Sequence, residues 1–138
     1  MGSVETIFKG NAERLVRRVP IADLVSADRF AREQEKLFKR NWLVVGYDYD
    51  VPKPGDYLAR DLPTVSAPVI MIRGLDGKIR GFYNVCTHRG NKLVRDGTGQ
   101  RAGFTCNFHG WGYTTEGKLR LVTDEKEFDI TDKSEFDM

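Results

Sequence analysis

Apolar and polar residues alternate in two different ways along this chain. From residue 26 the apolar positions are Phe30, Leu37 and Phe38, with Asn41-Trp42 at the end. That spacing predicts an amphipathic helix, capped by Ser26 or Asp28, running to about Arg40 and packing one face on the body. Upstream, Arg14, Arg17 and Arg18 lie near Leu15 and Val16, and Pro20 interrupts the run. A short helix or arm with a solvated basic face is expected over residues 1–25.

From Trp42 the period shortens. Trp42 to Tyr47 reads as a strand, Pro52, Pro54 and Gly55 as a turn, and Asp56 to Asp61 as a second strand. Val69 to Arg73 and Ile79 to Val85 flank Asp76-Gly77, a hairpin signal. Phe104-Thr105 follows, and a last hairpin joins Gly112 to Thr114 and Leu119 to Val122 across Glu116-Gly117. Several short strands so spaced predict a mainly β fold, a small antiparallel β-sandwich or barrel preceded by an N-terminal helical segment. The expected organisation is a helical arm over 1–41, a β domain over 42–123 and an acidic connecting segment over 124–138. That last segment carries Asp124, Glu125, Glu127, Asp129, Asp132, Glu135 and Asp137, broken by Phe128, Ile130 and Phe136. It is expected to pack lightly and form no core of its own.

Composition narrows the class. The chain has 138 residues, 40% hydrophobic and 30% charged, which suits one soluble globular domain. A net charge of +2 implies no strong field for nucleic acid or an anionic membrane. No apolar run reaches the roughly 18 residues of a membrane span, and the start lacks a secretory pattern. Met1 to Thr6 fits a loose myristoylation pattern and is read as chance. Reduced, metal-bound thiols would then suit the cytoplasm.

Candidate chemistry is confined to one stretch. The chain has two Cys and two His, and all four lie in Cys86-Thr87-His88-Arg89-Gly90 and Cys106-Asn107-Phe108-His109-Gly110-Trp111. Thiolate with imidazole points to zinc or an iron–sulfur cluster. A disulfide would leave both His unexplained, and a Cys/His nucleophile pair would need one loop only. Zinc is the serious rival, but zinc fingers place Cys pairs before His pairs. Here Cys and His alternate, which suits a cluster with two unlike irons.

At these residues the chain resembles the Rieske [2Fe–2S] family. The resemblance implies that Cys86 and Cys106 hold one iron and His88 and His109 the other. Gly90 and Gly110 would let the backbone turn tightly and aim amides at the sulfurs. Trp111 stands where high-potential members carry a Ser, and the chain has no further Cys for their bracing disulfide. Tyr113 stands where a Tyr can reach a cysteine sulfur. One side-chain donor is thus retained and one lost, implying the low part of the roughly −150 to +300 mV Rieske range. Trp111→Ser should then raise the potential.

Further motifs narrow the resemblance to the N-terminal part of the large (alpha) subunit of ring-hydroxylating oxygenases. They are Phe30 to Trp42, Pro54-Gly55-Asp56-Tyr57, Asn84 to Gly90, His109-Gly110-Trp111 and Asp132 to Phe136. Asn107-Phe108 departs from a commoner Pro-Tyr and should change loop stiffness without changing ligation. Such proteins hold a catalytic mononuclear iron with two His and a carboxylate. This chain has no further His, so it is expected to be the Rieske part of such an enzyme, relaying electrons without activating O2 itself. The implied partners are a ferredoxin or flavoprotein reductase as donor and an oxygenase catalytic domain as acceptor, in a homo- or hetero-oligomer. A stand-alone Rieske ferredoxin and a zinc-binding module are the alternatives. Arg89, Lys92, Arg95 and Arg101 lie in or between the loops and are candidates for docking an acidic donor.

Overall fold

The computed structural model describes residues 21–123 and 125–138. The expectations for residues 1–20, including Arg14, Arg17 and Arg18, and for Asp124 fall outside it. Two compact units are present, divided after Asn41.

In the first unit, α1 (Ile21–Leu24) is followed by α2 (Ala27–Lys36). Ser26, not Asp28, caps α2, its hydroxyl accepting from the Arg29 N–H at 3.1 Å. The helix ends earlier than expected, at Lys36, and a 3-10 turn over Phe38–Arg40 takes the chain on. No α2 residue is buried, and Phe30 and Leu37 are 43% and 49% exposed.

Among its described residues the second unit holds seven strands. β1 (Asp56–Leu62), β2 (Ala67–Arg73), β3 (Ile79–Tyr83) and β4 (Gly97–Gln100) form one antiparallel sheet in the order β3-β2-β1-β4. β5 (Gly103–Thr105), β6 (Gly112–Thr114) and β7 (Leu119–Leu121) form a second. The sheets do not close, so the sandwich half of the expectation holds and the barrel half does not.

Two strand expectations are corrected. Trp42 to Tyr47 is not a strand. Both edges of β1 are taken by β2 and β4, and the Tyr47 N–H instead donates to Asp50 Oδ2 at 2.8 Å, opening a 3-10 turn. β4, reading Gly-Thr-Gly-Gln, carries no apolar alternation and had no strand signal. Its glycine is required by the packing: a Cβ on Gly99 would sit 2.7 Å from the Tyr57 ring on β1.

The main core lies between the sheets. Tyr57, Ala59, Ile70 and Ile72 face Phe104, Trp111, Tyr113 and Leu119, and both cysteines belong to it. Tyr57 and Phe104 meet edge to face at 5.9 Å. The C-terminal segment packs more than its acidity implied. Phe128, Ile130, Phe136 and Met138 lie against this core, the Leu119 N–H donates to Asp137 Oδ1 at 2.8 Å, and the Met138 N–H donates to Gly117 O at 2.8 Å.

Candidate metal centre

Two loops of one backbone design build the site. The first leaves β3, the second joins β5 to β6. In the first, the Cys86 N–H donates to Asn91 O and the Gly90 N–H to Cys86 O, both at 2.8 Å. In the second, the Cys106 N–H donates to Trp111 O at 2.8 Å and the Gly110 N–H to Cys106 O at 2.9 Å. Each loop needs a left-handed residue four places after its Cys, and Gly90 (φ 72°) and Gly110 (φ 73°) supply it. The turn role expected of these glycines is therefore present. Their own amides, however, go to carbonyls and not to sulfur. At Cys106 the amides that face the sulfur belong to Phe108 and His109.

Because the loops match, C-x-H and C-x-x-H converge like with like. Cys86 and Cys106 are free, buried and within hydrogen-bonding reach of each other. The His88 and His109 rings lie 4.7 Å apart. His88 is held between Trp111, stacked at 4.8 Å, and the edge of Phe128 at 5.1 Å. His109 carries Phe108 against it at 3.9 Å, and Phe108 is 62% exposed.

Tyr113 reaches where the sequence placed it. Its hydroxyl lies 3.2 Å from Cys86 Sγ and 2.9 Å from Thr87 Oγ1, and accepts the Thr87 N–H at 3.1 Å. The Thr87 hydroxyl donates to Phe136 O at 2.8 Å, so the Tyr113 proton has two acceptors, of which a thiolate is the stronger. Burial first, and then the Cys86 contact, push the Tyr113 phenol up to about 12, keeping it a donor. At Cys106, burial opposes ionisation but is outweighed by the Phe108 and His109 amides, the Cys86 thiol and the Asn91 amide, which hold the thiol below its ordinary value. His88 is lowered by burial, then by His109 and Arg89, which favours neutral imidazole.

Three asparagines that were not site candidates in sequence complete the site. Asn84, fully buried, closes the first loop at its base: Nδ2 donates to Val94 O at 2.8 Å, and Oδ1 accepts the Leu93 and Val94 N–H at 3.1 Å. Asn84→Leu leaves these backbone groups unpaired and should cost about 1–3 kcal/mol, measurable by urea denaturation. Asn91 crosses to the second loop, where Asn107 meets it. Of the docking candidates, Arg89, Arg95 and Arg101 are exposed. Lys92 is engaged, its Nζ lying 2.9 Å from Asp61 Oδ1 and 2.6 Å from Asp96 Oδ1, so it ties the loop to β1. Arg101 lines a groove along β5 and β6 with Arg120 and Leu121.

The donor set fits a [2Fe–2S] cluster. His88 Nδ1 is buried without a hydrogen-bond partner, and both thiols are free and buried. Among the described residues no three His, Cys, Asp or Glu side chains converge on one ion. A structural zinc needs four protein ligands at one point, whereas two Cys on one iron and two His on the other need only pairs.

Fold and loops thus define an antiparallel β domain built to carry an iron–sulfur centre. The Rieske [2Fe-2S] domain family matches residues 41–132, and the chain belongs to it. It is 46% identical over 98 residues to the large oxygenase component of the naphthalene 1,2-dioxygenase system of Pseudomonas aeruginosa, covering 71% of this chain and 21% of that protein. It is 37% identical over 134 residues to the benzene 1,2-dioxygenase subunit alpha of Pseudomonas putida, covering 96% of this chain and 28% of that one. The chain therefore spans about a quarter of the length of these relatives. The crystal structure of naphthalene 1,2-dioxygenase from a Rhodococcus species superposes with a TM-score of 0.81 at 28% identity, over 97% of this chain and 30% of that one. A quaternary ammonium Rieske monooxygenase superposes at 0.78 with 30% identity, over 88% and 35%. The cofactor of this family is a [2Fe–2S] cluster.

Proposed function

We propose that this chain is the electron-relay part of a ring-hydroxylating oxygenase alpha subunit. Cys86 and Cys106 would hold one iron, His88 and His109 the other. The observation that carries this reading is the pairing of thiol with thiol and imidazole with imidazole beside the unpartnered His88 Nδ1. When bound, such a cluster takes up and releases one electron. The protein's share is to exclude water from the thiols, donate hydrogen bonds to their sulfurs and leave the His109 side half-exposed for transfer. A ferredoxin or flavoprotein reductase would be the donor, a catalytic domain with a mononuclear iron the acceptor, and an oligomer the working form. Alignment with a dioxygenase alpha subunit over 134 residues, beyond the Rieske match itself, supports this over a stand-alone ferredoxin. Among the described residues no helix is long and apolar enough to cross a membrane.

The test is analytical and spectroscopic. Loaded protein should be red-brown, carry two irons and two sulfides per chain, and on reduction give an EPR signal of lower average g than an all-Cys centre. Colourless protein with stoichiometric zinc would overturn the reading. The chain should hydroxylate no aromatic substrate by itself, since its two His are both in the loops.

Docking has a separate test. Arg89 and Arg95 are exposed on the first loop and the segment after it. Neutralising both to Gln should slow reduction by an acidic ferredoxin severalfold at low salt and flatten the salt dependence. Equal rates at all ionic strengths would leave them as a solvated surface.

A further inference from the structure

Position 91 touches both cysteines in different ways. The Asn91 backbone carbonyl accepts the Cys86 N–H at 2.8 Å and so closes the first loop. The Asn91 side chain leaves that loop. Its amide nitrogen lies 3.6 Å from Cys106 Sγ and 2.9 Å from Asn107 Oδ1, both on the second loop, and 3.1 Å from Lys92 O. An NH2 has two protons, so three acceptors share them.

We infer that Asn91 is a positioning residue that holds the two ligand loops in register and tunes the centre by donating an N–H to the Cys106 sulfur. The inference rests on the proposed Cys and His ligand set. It gives each thiolate its own side-chain donor: the Tyr113 O–H for Cys86 and the Asn91 N–H for Cys106. Reduction adds negative charge to the centre, and a donor at sulfur stabilises that added charge, raising the potential. Asn107 has a different part. It accepts from Asn91 and bridges the loops, while offering no donor to sulfur in this arrangement. With Asn91 donating beside Tyr113, the potential should lie above what Tyr113 by itself would set.

The two parts separate by mutation of the cluster-loaded chain. Asn91→Leu keeps the volume and removes the donor. At a fixed poise, its ratio of reduced to oxidised centre should fall about fivefold, which is about 40 mV for one electron. Iron and sulfide content should stay at the wild-type level. Asn107→Ala removes the bridge and leaves the N–H to Cys106, so it should lower the melting temperature without lowering the potential. If both variants lose stability alike and neither changes the potential, Asn91 is a loop clasp only and the inference fails. Should Asn91→Leu not retain the centre, Asn91→Gln, which keeps the amide donors, should retain it; equal loss in both also overturns the inference. Wild-type protein that never gives the mixed-ligand EPR signal would instead refute the ligand assignment itself.

Discussion

Single replacements of Cys86, His88, Cys106 or His109 by Ala should each remove the [2Fe–2S] centre. Iron and sulfide should drop from two of each per chain to near zero, and the visible colour should vanish. Each iron takes only two protein ligands, so losing one halves the protein's hold on that iron. Nearby donors are no substitute: among the described residues no group of three or more His, Cys, Asp or Glu side chains is placed to hold a metal ion. The two thiols belong to the main core, so loading and folding are linked. The cysteine variants should therefore also lose the stabilisation that cluster binding confers, and melt near the temperature of the cluster-free wild type. Full iron and sulfide in any of the four would show that the ligand set is wrong at that position. Arg95→Ala, exposed and outside the set, is the control and should load normally.

Trp111→Ser should destabilise the fold before it tunes anything. By resemblance alone, a new hydroxyl at this position would raise the potential. The structure shows what the indole does instead. Trp111 is 1% exposed, stacks on His88 at 4.8 Å and is met edge-on by Phe128 and Phe136, each at 5.6 Å. Truncating a buried Trp costs about 3–5 kcal/mol, whereas one new hydrogen bond returns about 1 kcal/mol. Packing wins, so the Ser variant should melt well below wild type and load less cluster. Trp111→Phe separates ring from N–H. Because the indole Nε1 is buried without a partner, Phe loses no hydrogen bond and keeps an aromatic face for His88. It should cost far less than Ser. A Ser variant as stable as wild type would show that the ring stack has little weight.

Much of the site was legible because it is local. The two thiols, the two imidazoles and the glycine four residues after each Cys lie within short loops, and the backbone bonds that shape those loops span only four or five residues. Tyr113 was legible for a weaker reason, its place relative to the second loop. Apart from β4, the strands from Asp56 onward followed from their apolar residues and turn residues, since Gly55, Gly77 and Gly117 do sit at positive φ.

Contacts between distant residues decided the rest. β4 exists because β1 offers it a free edge and Tyr57 covers Gly99, facts that Gly-Thr-Gly-Gln does not carry. Trp42 to Tyr47 is a strand-like apolar run in sequence, yet it joins neither sheet, and its Tyr47 N–H turns back to Asp50 instead. Lys92 reads as a free cation until folding sets it between Asp61, 31 residues away, and Asp96. Nothing in the sequence pairs Asn91 with Asn107, yet they meet across 16 residues at 2.9 Å. The proposed ligand set rests on side-chain chemistry and short spacing, both of which can be read from the amino-acid order. Which neighbour donates to a sulfur, or shields an imidazole, depends on loops brought together by a shared core, and only the folded chain sets those distances.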